Sequence, residues 1–158
     1  MVFAAKLCYL QLVSQILADT DEVVLRLPLA ADAELRAVDA LDRLLARHQV
    51  ERQAAGQARF ALVEACLNAI EYSQPAPSAA MDIRLAIRSG ELMMSVGNPG
   101  TSFHPPAPNV SRAGRGHGLK IIQAFMDRVR YLNDAGGTRV EMSKRIPCLS
   151  NGLDGAHS

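Results

Sequence analysis

Three closely spaced glycines open the most informative segment of the chain, Gly114-Arg115-Gly116-His117-Gly118-Leu119. An apolar pattern with helical spacing follows at once, from Ile121 to Met126. The first N–H groups of a helix are free, its dipole favours negative charge, and glycine lets phosphate oxygens approach closely. The segment therefore predicts a phosphate site at the start of a helix. Glycine clusters before helices also serve as plain turns, so this segment alone leaves both interpretations open.

Length and composition indicate one globular domain with an aliphatic core. The chain has 158 residues, of which 49% are hydrophobic but only 4% aromatic, and it has no Trp. A formal net charge of +1 does not indicate the strongly basic surface that nucleic-acid binding needs, so direct nucleic-acid binding is not expected. The three cysteines, Cys8, Cys66 and Cys148, are widely separated and odd in number, which indicates neither a disulfide framework nor a zinc site. We expect a reduced, cytoplasmic setting.

The two ends of the chain lie outside the expected domain. Residues 1–20 carry an apolar stripe at helical spacing, made of Phe3, Leu7, Leu10, Val13 and Leu17. This stripe predicts an amphipathic helix that is too short and too polar to span a bilayer. Packing on its own domain and a subunit contact in a homodimer are both open for this helix. Residues 147–158 are polar and are expected to form a flexible tail.

The rest of the chain alternates between helical and strand patterns. Strands are expected at residues 22–29, 81–88, 91–96, 127–133 and 138–146, and helices at residues 53–73 and from Leu119 onward. Asp32 is expected to cap a helix running to about His48, with an inner face made of Leu35, Val38, Leu41, Leu44 and Leu45. This order predicts an α+β two-layer sandwich, a mixed and mostly antiparallel sheet covered on one face by helices. The irregular residues 97–115 between a hairpin and the last helix are long enough for a functional lid.

The second expected helix carries a polar stripe inside an apolar run. Glu64, Asn68 and Glu71 are spaced by four and three residues, which places them on one helix face. One interpretation is a solvated helix face. The other gives Asn68 an oxygen for a hard metal ion and Glu64 a carboxylate that accepts a proton.

Taken together in order, four motifs resemble a known superfamily. They are Glu64 with Asn68 on a helix, Asn98-Pro99-Gly100 after a strand, the glycine segment that opens a helix, and Gly137-Thr138 at a late strand. This set is similar to the ATP-binding fold of gyrase-type ATPases and histidine kinases (the GHKL superfamily). The closer similarity is to the anti-sigma-factor serine/threonine kinases. The resemblance covers about residues 23–146, and we expect the ATP-binding domain to span residues 21–146.

This resemblance implies a function and a role for each matching residue. Glu64 would act as general base, Asn68 would hold Mg²⁺, and Thr138 would hydrogen-bond near the nucleotide. The implied ATP-binding positions are Asn68, Asn98, Gly100, Gly114, Arg115, Gly116, His117, Gly118, Leu119 and Thr138. The implied partners are an anti-sigma-antagonist of the STAS type and a sigma factor, and the implied cofactors are ATP and Mg²⁺.

Asn98 departs from the family pattern, which has Asp at this position. Its amide keeps a carbonyl oxygen for the adenine amino group and is expected to turn to suit it, without charge assistance. On this basis Asn98→Asp is expected to tighten ATP binding. The departure also favours a second hypothesis, a nucleotide-gated protein-binding module without kinase activity. Two further alternatives fit less well. A sensor kinase would have a phosphoacceptor helix pair before the domain, and the sequence gives no sign of one. In a Rossmann site the first glycine follows a strand, whereas Gly114 follows a long irregular segment.

Overall fold

The computed structural model describes residues 20–72, 79–99, 117–134 and 137–147. These ranges form five strands and three helices, in the order β1 (Thr20–Pro28), α1 (Ala33–Arg47), α2 (Arg52–Tyr72), β2 (Ala80–Arg88), β3 (Glu91–Pro99), α3 (His117–Phe125), β4 (Arg128–Asp134) and β5 (Gly137–Arg145). The predicted N-terminal helix, residues 100–115 of the predicted lid and the tail beyond Pro147 lie outside the described residues. Residues 97–99, expected to be irregular, instead extend β3.

The five strands form one sheet with the order β1-β2-β3-β5-β4. Every neighbouring pair is antiparallel, so the sheet contains no parallel pair within the described residues. Ser89 and Gly90, with φ of 50° and 74°, connect β2 to β3. Two consecutive positive φ values are typical of the tight turn whose twist matches that of an antiparallel hairpin. The α+β two-layer class predicted from the sequence is confirmed.

The core lies between the helices and one face of the sheet. In β2 the buried positions alternate, with Met81, Ile83, Leu85 and Ile87 facing the helices. Helix α2 lies against this layer with small side chains, including Ala58, Ala61 and Ala65. Alanine lets a helix approach its neighbours closely, so α2 is central in the helix layer and contacts both α1 and α3. None of the three described helices is long and apolar enough to cross a membrane.

Two expectations about α1 are wrong. Asp32 occupies the position before the helix, but its backbone is left-handed (φ 67°) and its side chain makes no capping hydrogen bond. A capping side chain needs an extended backbone to fold back onto the first N–H groups. Leu35 is 60% exposed instead of buried, because the inner face of α1 is made of Ala33, Ala37, Leu41, Leu44 and Leu45.

Helix α3 is fixed at its C-terminal end by β5. Lys144 Nζ donates a hydrogen bond to the carbonyl oxygen of Phe125 at 2.9 Å, and Asp127 N donates to Ser143 O at 2.9 Å. A cation at the C-terminal end of a helix is favoured by the helix dipole. The other end of α3, which begins at His117, lies against the middle of α2, where Gly118 approaches Glu64.

Candidate functional site

The N-terminal end of α3 meets α2 at Gly118. A Cβ atom added to Gly118 would collide with Glu64 Oε2 and would lie 3.8 Å from Asn68 Oδ1. The two polar side chains of α2 therefore point at the first turn of α3, where backbone N–H groups have no partner within the helix. We refer to Glu64, Asn68 and Gly118 as the α2–α3 seam. Glycine permits this close approach, because any side chain at this position would displace the Glu64 carboxylate.

The sheet places two more predicted site residues next to each other. In the register of β3 and β5, Asn98 is the partner of Thr138. Both side chains face the helices, at 7% and 8% exposure, and they are the two buried polar residues of the described ranges. Buried polar groups are costly unless they find partners, so their hydrogen bonds show how the site is built.

The hydroxyl of Thr138 is oriented by a neighbouring strand. Its Oγ1 donates to Asn133 Oδ1 at 2.9 Å, and Asn133 is the register partner of Thr138 in the β4–β5 hairpin. Asn133 is exposed, while Thr138 is buried. The exposed Asn133 side chain therefore holds the buried Thr138 hydroxyl in one orientation.

The amide of Asn98 is held by the end of α2. Asn98 Nδ2 donates to the carbonyl oxygen of Ala69 at 3.0 Å. Because α2 ends at Tyr72, this carbonyl is one of the last four of the helix, which have no partner within it. Asn98 Oδ1 is buried and accepts no hydrogen bond from any described residue. This hydrogen bond favours one orientation of the amide, because the opposite one would bring two oxygens together.

These side chains surround a small inner cavity of about 30 Å³. Its lining combines Asn68, Asn98 and Thr138 with apolar or aromatic residues, namely Ala65, Ala69, Tyr72, Val96, Ile122, Tyr131 and Val140. Burial raises the pKa of Tyr131, so its hydroxyl stays protonated at neutral pH. The described wall of the cavity therefore carries no formal charge. This uncharged lining suits a neutral group with hydrogen-bond donors better than it suits an ion.

A larger concavity, about 480 Å³, lies on the opposite face of the sheet. We call it the outer groove; charges of both signs line it, including Arg84, Arg88, Glu91 and Glu141. It contains none of the predicted site residues. Exposed, alternating charges of this kind are typical of a solvated sheet face. The inner cavity is the better candidate because Asn98 and Thr138 are buried there and Asn98 Oδ1 has no described hydrogen-bond partner.

The structure brings together five of the residues predicted from the sequence, namely Glu64, Asn68, Asn98, Gly118 and Thr138. Leu119 is half-buried in the first turn of α3, and His117 is the first residue of that helix. The remaining predicted positions, Gly100, Gly114, Arg115 and Gly116, lie outside the described residues. Glu71, the third member of the polar stripe, is exposed.

Three residues of the site were missed by the sequence analysis. Ala69 contributes a backbone carbonyl, Asn133 orients Thr138, and Tyr131 lines the inner cavity. The hairpin around Ala135-Gly136 gives a signal for Asn133, because antiparallel pairing places it opposite Thr138. No side-chain pattern signals Ala69, since its role depends on where α2 ends.

The described ranges hold no group of three or more His, Cys, Asp or Glu side chains that could bind a metal ion. Mg²⁺ does not need such a cluster when phosphates and water supply most of its ligands. Asn68 Oδ1 could serve as one such Mg²⁺ ligand. It lines the inner cavity and lies near Gly118.

Comparison with known families agrees with this geometry. Residues 27–144, more than half of the chain, match the family described as Histidine kinase-like ATPase domain. The chain belongs to this family, and the resemblance to the GHKL superfamily is confirmed. None of the curated protein sequences matches the chain.

Two of the solved structures that match the chain illustrate the shared fold. One contains the RsbU and RsbW domains of Rv1364c from Mycobacterium tuberculosis, with 19% identity, a TM-score of 0.63 and 80% of this chain covered. The other is the histidine kinase domain of a blue-light activated histidine kinase from Erythrobacter litoralis, with 18% identity, a TM-score of 0.51 and 75% covered. This chain spans 32% of the first structure and 61% of the second.

Proposed function

We propose that this domain binds ATP with Mg²⁺ in the inner cavity and along the α2–α3 seam. The observation that carries the proposal is the convergence of Glu64 and Asn68 on Gly118, next to a cavity with one unsatisfied buried acceptor. The residues fit the nucleotide: Asn98 Oδ1 offers an acceptor for the adenine amino group, and Asn68 offers a hard oxygen to Mg²⁺. The absent side chain at Gly118 lets the Glu64 carboxylate reach the N-terminus of α3, whose free N–H groups also suit phosphate.

We further propose that the protein is a serine/threonine protein kinase. The oxygen of the acceptor hydroxyl would bond to the terminal phosphorus of ATP, its proton would pass to Glu64, and ADP would leave. Phosphoryl transfer needs little more than positioned groups and neutralised charge. Support comes from Glu64, whose carboxylate lies beside Asn68 and pairs with no described cation, so it is available as a base.

The proposed protein partner is an anti-sigma-antagonist of the STAS type, and the unphosphorylated partner would compete with a sigma factor in a bacterial partner-switching pathway. The sequence motifs resemble those of anti-sigma-factor kinases, and an RsbW domain is among the structural neighbours. A cytoplasmic location and a homodimer through residues 1–20 belong to the same proposal.

The test is a phosphorylation assay with radiolabelled ATP, Mg²⁺ and purified partner domains encoded near this gene. The kinase proposal predicts label on a serine or threonine of one partner, and loss of the label when Mg²⁺ is chelated. Wild-type protein that labels no partner contradicts the kinase proposal. If it still binds a partner only when ATP is present, the alternative of a nucleotide-gated binding module replaces it.

A further inference from the structure

Helix α2 carries large apolar side chains on its outer side as well as on its inner side. Phe60 is 61% exposed, and Leu67, seven residues later on the same side of the helix, is 42% exposed. Leu67 is two residues after the buried Ala65, about 200° further round the helix, so it points away from the sheet. A helix that is apolar all round is normally buried. The outer side of α2 therefore indicates a surface that another element covers.

Helix α1 extends this apolar surface. Residues 48–51 join α1 to α2, and so short a connection makes the two helices antiparallel. The start of α1 therefore lies beside the last turns of α2, where Leu67 is. Asp42 pairs with Arg59 across the helices, and Leu35, seven residues before Asp42, lies on this same side of α1. We refer to three exposed side chains of this layer as the helix patch, namely Leu35, Phe60 and Leu67.

The predicted N-terminal helix has the chemistry that the helix patch requires. Its stripe contains no charged residue and consists of Phe3, Leu7, Leu10, Val13 and Leu17. In a helix this stripe is about 21 Å long, which is enough to cover the roughly 10 Å between Phe60 and Leu67 along α2. Removing both apolar surfaces from water is favourable, so each surface is a suitable partner for the other.

The connection to β1 prevents this helix from covering the patch of its own chain. Asp21 pairs with Arg47 at 2.9 Å, so the chain enters β1 beside the end of α1, at the level of the sheet. From Leu17 to Thr20 an extended chain spans at most about 11 Å. A helix outside α1 and α2 would lie about 20 Å from the sheet, because each packed layer adds about 10 Å. The patch of a second copy has no such limit of reach.

We propose that the protein forms a two-fold symmetric dimer in which residues 3–17 of each copy pack on the helix patch of the other. This inference rests on the proposed homodimer, to which it gives a binding surface, and it does not depend on ATP binding. A reciprocal arrangement satisfies both copies at once, because each contributes one stripe and one patch. The dimer covers the outer side of α2 that the described structure leaves exposed.

Sedimentation equilibrium on the full chain measures the dimer and tests the helix patch. Phe60→Gln and Leu67→Gln should each weaken the dimer about tenfold or more, since each change removes an apolar contact twice in a symmetric dimer. Both side chains are exposed, so these variants should fold. The control is Val24→Thr, an exposed position whose register partner Arg84 lines the outer groove. Wild-type affinity in both α2 variants overturns the proposal, as does a dimer that is lost only in Val24→Thr.

The N-terminal stripe is tested by the same measurement on a matched pair of variants. Leu10→Gln changes the stripe, whereas Leu12→Gln makes the same change on the opposite side of the predicted helix. The first variant should weaken the dimer about tenfold or more, and the second should stay near the wild-type affinity. Equal affinities of the two variants overturn the proposal.

Paramagnetic NMR decides between a second copy and the same chain. A nitroxide is attached to Cys8 in protein without isotope label that carries Cys148→Ser. Cys66 is buried, with its pKa raised to about 12, so it does not react. This protein is mixed with isotope-labelled protein that has no nitroxide. Broadened methyl signals of Leu35 and Leu67 in the mixture support the proposal, whereas broadening only when nitroxide and isotope share one chain overturns it.

The outcomes for the dimer are distinguishable from those for the proposed function. Protein that stays monomeric at every concentration overturns both the homodimer and this inference. A dimer that survives the patch and stripe variants overturns this inference alone. ATP binding and phosphorylation are measured separately, and a failure of either leaves the dimer measurements and their interpretation unchanged.

Discussion

The two sides of helix α2 differ in how they use polar groups. Toward α1, Arg59 pairs with Asp42, and Cys66 is buried. Burial, with a smaller contribution from the Glu34 carboxylate, raises the pKa of the Cys66 thiol to about 12, so it stays neutral. Toward α3, Glu64 and Asn68 face a glycine and pair with no described cation. On the α1 side the cation has a carboxylate partner, although Glu34 Oε2 is buried without a described hydrogen-bond partner. On the α3 side Glu64 and Asn68 converge on a helix N-terminus, where a ligand can use them.

The largest difference between the two sides is expected for Glu64→Gln. This variant keeps the shape of the side chain but cannot accept a proton. Phosphorylation of the partner should fall about 10²–10⁴-fold, while ATP affinity stays near the wild-type value. The matched control is Glu71→Gln, an exposed position on the same helix, which should phosphorylate normally. Normal phosphorylation by Glu64→Gln would remove Glu64 from the role of base.

A smaller effect is expected for Asn68→Ala, which removes the proposed Mg²⁺ ligand. ATP affinity measured by calorimetry with Mg²⁺ should fall about tenfold or more, comparable to loss of a hydrogen bond to a charged group. Chelation of Mg²⁺ should then have little further effect on the variant. Gln53→Ala, at an exposed site in the first turn of α2, serves as control. Undiminished dependence on Mg²⁺ in Asn68→Ala would show that another group holds the metal.

Gly118→Ala should displace the Glu64 carboxylate with little cost in folding. The added methyl group collides with the flexible end of Glu64, not with backbone, and alanine is favoured over glycine within a helix. We expect phosphorylation to fall about tenfold, less than the 10²–10⁴-fold attributed to base catalysis, because the base is displaced and not removed. Thermal stability should not fall. At Gly56 in α2 an added Cβ meets nothing within 4 Å, so Gly56→Ala should raise stability by about 0.5–1 kcal/mol and leave activity unchanged. Equal activity of the two variants would contradict the close contact at the seam.

The smallest effect is expected on the α1 side. Asp42→Asn breaks the ion pair with Arg59. Both side chains of this pair are about two-fifths exposed. Partly exposed pairs of this kind contribute about 0–1 kcal/mol. Urea unfolding should show a loss within that range, and ATP affinity should not change. A change in ATP affinity as large as that of Asn68→Ala would mean that the two sides of α2 are not separate.

Much of the fold and part of the site followed from local patterns. Alternation in residues 81–88 and the Ser89-Gly90 turn predicted the central hairpin, because side-chain period and turn geometry are local properties. The spacing of Glu64 and Asn68 likewise placed them on one helix face. The role of Ala69 was not predictable in this way, since it depends on where α2 ends. Asn133 was predictable only through the pairing of the β4–β5 hairpin, which places it opposite Thr138. Asp32 failed as a cap because its backbone is left-handed, which its residue type does not specify.

The most direct test of the central claim is an NMR titration of methyl-labelled wild-type protein with ATP and Mg²⁺. We predict saturable shifts at Ala65, Ala69 and Ile122, which line the inner cavity, and none at Ala86 and Met93 of the outer groove. Saturable shifts confined to the outer groove, or no shifts at all, would contradict the assignment of the nucleotide site to the α2–α3 seam and the inner cavity.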